Sequence, residues 1–164
     1  KTAVMALRLL DREEVIQISD KEIKTGLQNV IKNTGLKGRY QILQSNPKVI
    51  CDTAHNKEGL SMVLHQIQEE KFDKLHIVLG VVNDKSLEDI LPLFPKNAIY
   101  YFCKPNIPRG KSEEELQQAA LNFGLKGDFF SSVSEAYHGA LKLAKPSDLI
   151  YAGGSTFVVA ELPI

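Results

Sequence analysis

The stretch VICDTAHNKEG, residues 49–59, runs an apolar segment into Asp52, passes two small residues, and then presents His55 and Asn56. A short apolar run bounded by polar residues reads as a buried strand. Its polar tail has two explanations. In the structural one, Asp52 and Asn56 satisfy free backbone amides where a helix begins. In the chemical one, a carboxylate and an imidazole stand at the carboxyl edge of a sheet, where open α/β sheets bind ligands. His55 is a poor cap, because the positive end of a helix disfavours an imidazolium. A neutral ring hydrogen-bonded to a ligand is more comfortable there.

Working outward, RYQILQS (39–45) is a strand, separated by Pro47 from KVICD. Asn56 opens a helix to about Glu70. KLHIVLGVV (74–82) is a buried strand, followed by a short helix from Ser86 that stops before Pro95. AIYYFCK (98–104) is a strand and PNIPRGK (105–111) a loop. Ser112 with Glu115, and Ser132 with Glu135, have capping-box spacing and open two further helices around a short strand at 127–130. DLIYAGG and STFVVAEL close the chain as two strands, or one broken by glycines. Upstream, residues 2–12 carry helical spacing, and Ser19 with Glu22 caps a second helix ending at Asn33, Thr34 and Gly35.

Alternating strands and helices predict an α/β fold. The expected form is a Rossmann-like three-layer sandwich preceded by two helices. Its sheet has about six strands, mostly parallel, because the strands are continuous apolar runs covered on both faces. The opening and closing strand pairs lie too close for helical crossovers, so one or two strands are expected to be antiparallel.

The chain has 164 residues, 43% hydrophobic, with 20 basic and 20 acidic side chains. Zero net charge gives no bulk steering toward nucleic acid. No apolar run reaches the roughly 20 residues that span a bilayer. Cys51 and Cys103 sit in apolar runs and are expected to be buried free thiols in a reduced, cytoplasmic compartment. The start, KTAVMALRLLDREE, lacks an initiator Met and is expected to be cut from within a longer protein.

Polar groups follow the strands at what would be one edge: Asp52, His55 and Asn56; Gly80, Asn83, Asp84 and Lys85; Lys104, Asn106 and Arg109; Gly153, Gly154, Ser155 and Thr156. There is no GxxxxGK[ST], GxGxxG or GxSxG motif. A Ser155–His55–Asp52 triad is conceivable, but Ser155 is not on a nucleophile elbow. A metal site from Asp52 and His55 lacks further ligands. From the residues alone, the chain is a ligand-binding half of an α/β protein.

GRYQILQSNPKVICDTAHNKEGL resembles the start of the C-terminal domain of the Mur ligase superfamily, above all its folylpolyglutamate synthase/dihydrofolate synthase branch. That branch has Gly-Arg, a short spacer, Pro, an apolar strand and D-x-A-H-N. Here these are Gly38-Arg39, Pro47 and Asp52 to Asn56. LGVVNDKS resembles the branch's G-x-x-x-D-K stretch and GGSTFVVAEL its closing G-S-x-F-x-V-A strand. PNIPRG resembles its Pro-rich loop, with Gly110 where Ala is frequent. The resemblance covers about 38–164, with 1–37 resembling the helical end of a preceding central ATPase domain.

It implies an ATP-dependent amide ligase in which ATP phosphorylates a carboxylate of a reduced folate to an acyl phosphate, the amino group of L-glutamate attacks the acyl carbon, and phosphate leaves. Arg39, Asp52, Asn56 and Lys85 would contact the nucleotide. His55 would be catalytic and, with Ser155 and Arg109, would line the glutamate site. Magnesium would accompany ATP, its ligands and the P-loop belonging to the central domain on which this one packs. A non-catalytic nucleotide-binding module and a cell-wall Mur ligase are the alternatives.

Overall fold

The computed structural model describes residues 2–84 and 86–163 and divides into two compact units, one up to Lys37 and one from Gly38. The first unit holds α1 (Thr2–Arg12), α2 (Asp20–Gln28) and α3 (Val30–Thr34). The Ser19 hydroxyl accepts from the Glu22 amide while the Glu22 carboxylate accepts from the Ser19 amide, a reciprocal cap for α2. Two helices were expected here, and the second is split. At Asn29 the backbone leaves helical geometry, with φ −106° and ψ 16°. Gly35, at φ +65°, ends α3.

The second unit holds β1 (Gln41–Ser45), β2 (Lys48–Cys51), α4 (Lys57–Gln68), β3 (Leu75–Leu79), α5 (Leu87–Ile90) with a 3-10 turn (Leu91–Leu93), β4 (Ile99–Cys103), α6 (Glu113–Leu121), β5 (Gly127–Phe130), α7 (Val133–Leu143), β6 (Leu149–Gly153) and α8 (Thr156–Ala160). The sheet has six strands in the order β1-β2-β6-β3-β4-β5. All neighbours are parallel except β1 and β2, whose pairing slips between Ile42 and Gln44.

Alternate strand residues face opposite layers. Ile50, Ile77, Leu79, Tyr100, Phe102 and Tyr151 pack under α4, α5 and α6. Val49, Cys51, Val78, Tyr101, Cys103 and Ile150 pack under α7 and α8. The result is the three-layer sandwich expected. Both cysteines are free and buried, and burial pushes the Cys51 thiol up to about 11.

STFVVAEL corrects the expected closing strand, because it is helical. Its β-branched residues suit a strand, yet β6 has reached the sheet edge and must turn. Gly154 adopts φ +89°, where a Cβ would lie 2.8 Å from the Gly80 carbonyl oxygen. The Ser155 hydroxyl then accepts from the Phe157 amide at 3.2 Å, and α8 buries Val158 and Val159.

At the amino edge, His76, Tyr101 and Asp148 form a buried polar cluster. The His76 ring meets the Tyr101 hydroxyl through Nδ1 at 2.9 Å and the Asp148 carboxylate through Nε2 at 3.3 Å. Asp148 also accepts from the amides of Lys145 and Lys74.

Candidate functional site

Because β2, β6, β3 and β4 run parallel, their carboxyl ends bring the segments after Cys51, Gly153, Leu79 and Cys103 to one edge. The first is clamped to the turn before β1. The Thr53 amide donates to the Gly38 carbonyl at 2.9 Å. One Asp52 carboxylate oxygen accepts from the Tyr40 amide at 2.6 Å and the other from the Ala54 amide at 2.7 Å. Gly38 has φ +68°, and a Cβ there would lie 2.7 Å from the Thr53 methyl. Only glycine closes this turn without displacing Thr53. Asp52 is 5% exposed, whereas Arg39, at the tip of the turn, is exposed.

His55 is exposed, and its Nδ1 lies 2.9 Å from the Thr53 carbonyl oxygen. A carbonyl only accepts, so Nδ1 carries the proton of that bond, and in the neutral ring Nε2 is a free acceptor. The Asn56 side-chain oxygen accepts from the Gly59 amide at 2.9 Å and caps α4. Arg39, Asp52, His55 and Asn56 line one cavity of about 440 Å³.

A second cavity, of about 360 Å³, is lined by His55, Asp84, Arg109, Ser155, Thr156 and Phe157. The loop carrying Arg109 is fixed to the segment after β3: Asn83 donates to the Arg109 carbonyl at 2.9 Å and Lys111 to the Val81 carbonyl at 3.0 Å. The Arg109 guanidinium lies 5.1 Å from the Phe157 ring centroid and 3.7 Å from the Asp84 carboxylate. Cation and ring attract at this separation, which steadies the guanidinium at the cavity wall. Ser155 is 3% exposed, its hydroxyl engaged as the cap of α8.

The structure thus brings Arg39, Asp52, His55 and Asn56 to one cavity and His55, Ser155 and Arg109 to the next. Lys85 lies outside the described residues. The hydrogen bonds of Ser155, His55 and Asp52 run to backbone groups, so the serine triad is not assembled. Among the described residues no cluster of three or more His, Cys, Asp or Glu could hold a metal ion. An exposed guanidinium, a carboxylate and an imidazole around one cavity do fit a nucleotide's phosphates and hydroxyls. Among the described residues no helix is long and apolar enough to cross a membrane. Sequence reading missed Tyr40 and Phe157. Arg39, next to Tyr40, and Ser155, two residues before Phe157, drew attention, and nothing local signals a strained turn or a ring beneath an arginine.

The chain is 29% identical over 163 residues to a dihydrofolate synthase/folylpolyglutamate synthase of Escherichia coli K12, covering 98% of this chain and 36% of that protein. An Escherichia coli FolC structure in complex with DHPP and ADP superposes with a TM-score of 0.83 at 29% identity, over 97% of this chain and 36% of that one. A bifunctional folylpolyglutamate synthase/dihydrofolate synthase with Mn, AMPPNP and L-glutamate bound gives 0.76 at 27% identity, over 88% and 34%. The chain therefore spans about a third of the length of these relatives. The family model described as Mur ligase, glutamate ligase domain, matches residues 38–156, and the chain belongs to that family.

Proposed function

We propose that this chain is the C-terminal domain of an ATP-dependent amide ligase that adds L-glutamate to a reduced folate through an acyl phosphate. The observation that carries the reading is the shared wall: His55 lines both the cavity bearing Arg39 and Asp52 and the cavity bearing Ser155 and Arg109. A ligase of this class must hold a nucleotide and an incoming amine side by side.

In this reading Arg39 meets phosphate oxygens, Asp52 and Asn56 border the nucleotide, and Lys85 adds a cation. Arg109, steadied by Phe157, meets a glutamate carboxylate. Ser155 borders the same cavity. The free Nε2 of His55 accepts a hydrogen bond, and at the reactive step a proton, from the glutamate amino group. That proton must leave before nitrogen can attack an acyl carbon. The P-loop and the magnesium ligands belong to a central ATPase domain preceding this one. Residues 1–37 are the helical end of that domain, a reading supported by α1, which buries none of its side chains and exposes Met5 and Leu9.

The test is ADP release by the longer enzyme with ATP, magnesium and L-glutamate. Tetrahydrofolate is supplied in one assay and dihydropteroate in another. Glutamate-dependent release with tetrahydrofolate is expected. Release with dihydropteroate adds dihydrofolate synthesis, and release with neither overturns the folate assignment. The 164-residue chain alone is expected to give no ligation.

A further inference from the structure

Tyr40 has φ +42°, in the left-handed region that an aromatic residue rarely adopts. Such a residue persists only where its surroundings over-determine it, and such positions cluster at ligand sites. Three contacts fix this one. Its amide donates to Asp52 at 2.6 Å, its ring packs against the core beneath α4, and its hydroxyl donates to the Glu70 carboxylate at 3.2 Å. Glu70 follows α4 and is paired with Lys48, the first residue of β2, at 2.7 Å. Both of those side chains are only partly exposed, at 31% for Lys48 and 25% for Glu70.

A surface ion pair contributes little stability by itself. This one grips a residue whose backbone is strained, and that residue's chain neighbour is the exposed Arg39. Tyr40 thereby ties the carboxyl-edge turn to the far end of α4. The Lys48–Glu70 bond holds the Glu70 carboxyl below the ordinary glutamate range, so it is ionised and accepting at neutral pH. Burial, with the Glu70 charge beside it, pushes the Tyr40 phenol up to about 12, so it remains a donor.

We propose that Tyr40, Glu70 and Lys48 are positioning residues that hold Arg39 at the rim of the nucleotide cavity. The proposal rests on the nucleotide reading of that cavity. Without the Glu70 contact the Tyr40 ring loses its anchor, the strained turn relaxes, and the Arg39 guanidinium is no longer preorganised toward phosphate.

The experiment uses the longer enzyme and measures KM for ATP, KM for L-glutamate and kcat for Tyr40→Phe, Glu70→Gln, Lys48→Arg and Arg39→Ala, with a thermal melt of each. Tyr40→Phe and Glu70→Gln are expected to raise KM for ATP by about three- to tenfold, the size of one lost hydrogen bond. KM for L-glutamate stays within twofold, by the same measure. Lys48→Arg keeps the pair and the wild-type KM. Should both KM values rise together, or only the melting temperature fall, the role is structural and the proposal is overturned. An Arg39→Ala effect on KM for ATP without one from Tyr40→Phe or Glu70→Gln also overturns it, while leaving the nucleotide reading intact. If Arg39→Ala leaves KM for ATP unchanged, the nucleotide reading itself falls.

Discussion

The two edges of the sheet use polar side chains in opposite ways. At the amino edge, His76, Tyr101 and Asp148 bond to one another and to backbone amides inside the core. Burial alone would raise the Asp148 carboxyl, but the Lys145 amide, the His76 ring and the Lys74 amide together hold it below the ordinary aspartate value. At the carboxyl edge, Asp52, His55, Asn56 and Ser155 each bond to nearby backbone, and His55 keeps an acceptor facing outward. A closed network specifies a core, and in the proposed reading the half-open one is left to meet a ligand. Side chains of the same kinds serve both purposes, and the direction of their second bond separates them.

The contrast breaks most sharply at Asp148. Asp148→Ala leaves His76 and two amides without their buried acceptor. It is expected to cost about 3 kcal/mol or more of unfolding free energy, because each buried donor left without its acceptor costs about 1–3 kcal/mol. Denaturant unfolding of the chain measures it, and a loss below about 1 kcal/mol would place the cluster among ordinary surface pairs. His55→Ala is the mirror image. Turnover of the longer enzyme is expected to fall about a hundredfold, while the melting temperature holds because the ring is exposed. Equal turnover would remove His55 from the chemistry.

Ser155→Ala is smaller. It is expected to raise KM for L-glutamate about tenfold at constant KM for ATP, with about 1 kcal/mol lost from the α8 cap. A rise in KM for ATP alone would reassign the cavity. The smallest effect is in pH. A folded-state carboxyl pKa below the unfolded value near 3.9 adds stability that is present above that value and lost as pH falls through the folded one. Acid titration of unfolding should therefore show a shallower drop below about pH 4 in Asp148→Asn than in the original chain. Identical slopes would mean that Asp148 carries no linked proton.

The parallel strands were legible because burial on both faces makes apolar runs such as KLHIVLG and AIYYFC. The caps at Ser19, Asn56, Ser112 and Ser132 were legible because they are local. α8 was not, since Val158 and Val159 suit a strand by propensity and are made helical by the turn at Gly154 and by packing. The grouping of Asp52, His55, Ser155 and Arg109 followed from the rule about strand ends. The contacts that steady it did not. Glu70 with Tyr40, and Phe157 with Arg109, join residues 30 and 48 positions apart and exist only once the sheet has formed.

The strand order carries a consequence for how the chain reaches this state. β6 is the last strand in sequence, yet it lies between β2 and β3. Each of those two strands pairs with it. Without β6, β1–β2 and β3–β4–β5 have no backbone hydrogen bonds between them among the described strand pairings. The native seam closes when Leu149–Gly153 arrive, and the same few residues lead directly into Gly154 and Ser155. Closure of the sheet and assembly of its carboxyl edge therefore share the same few residues, and the β2–β6 pairing is of the long-range kind that slows folding.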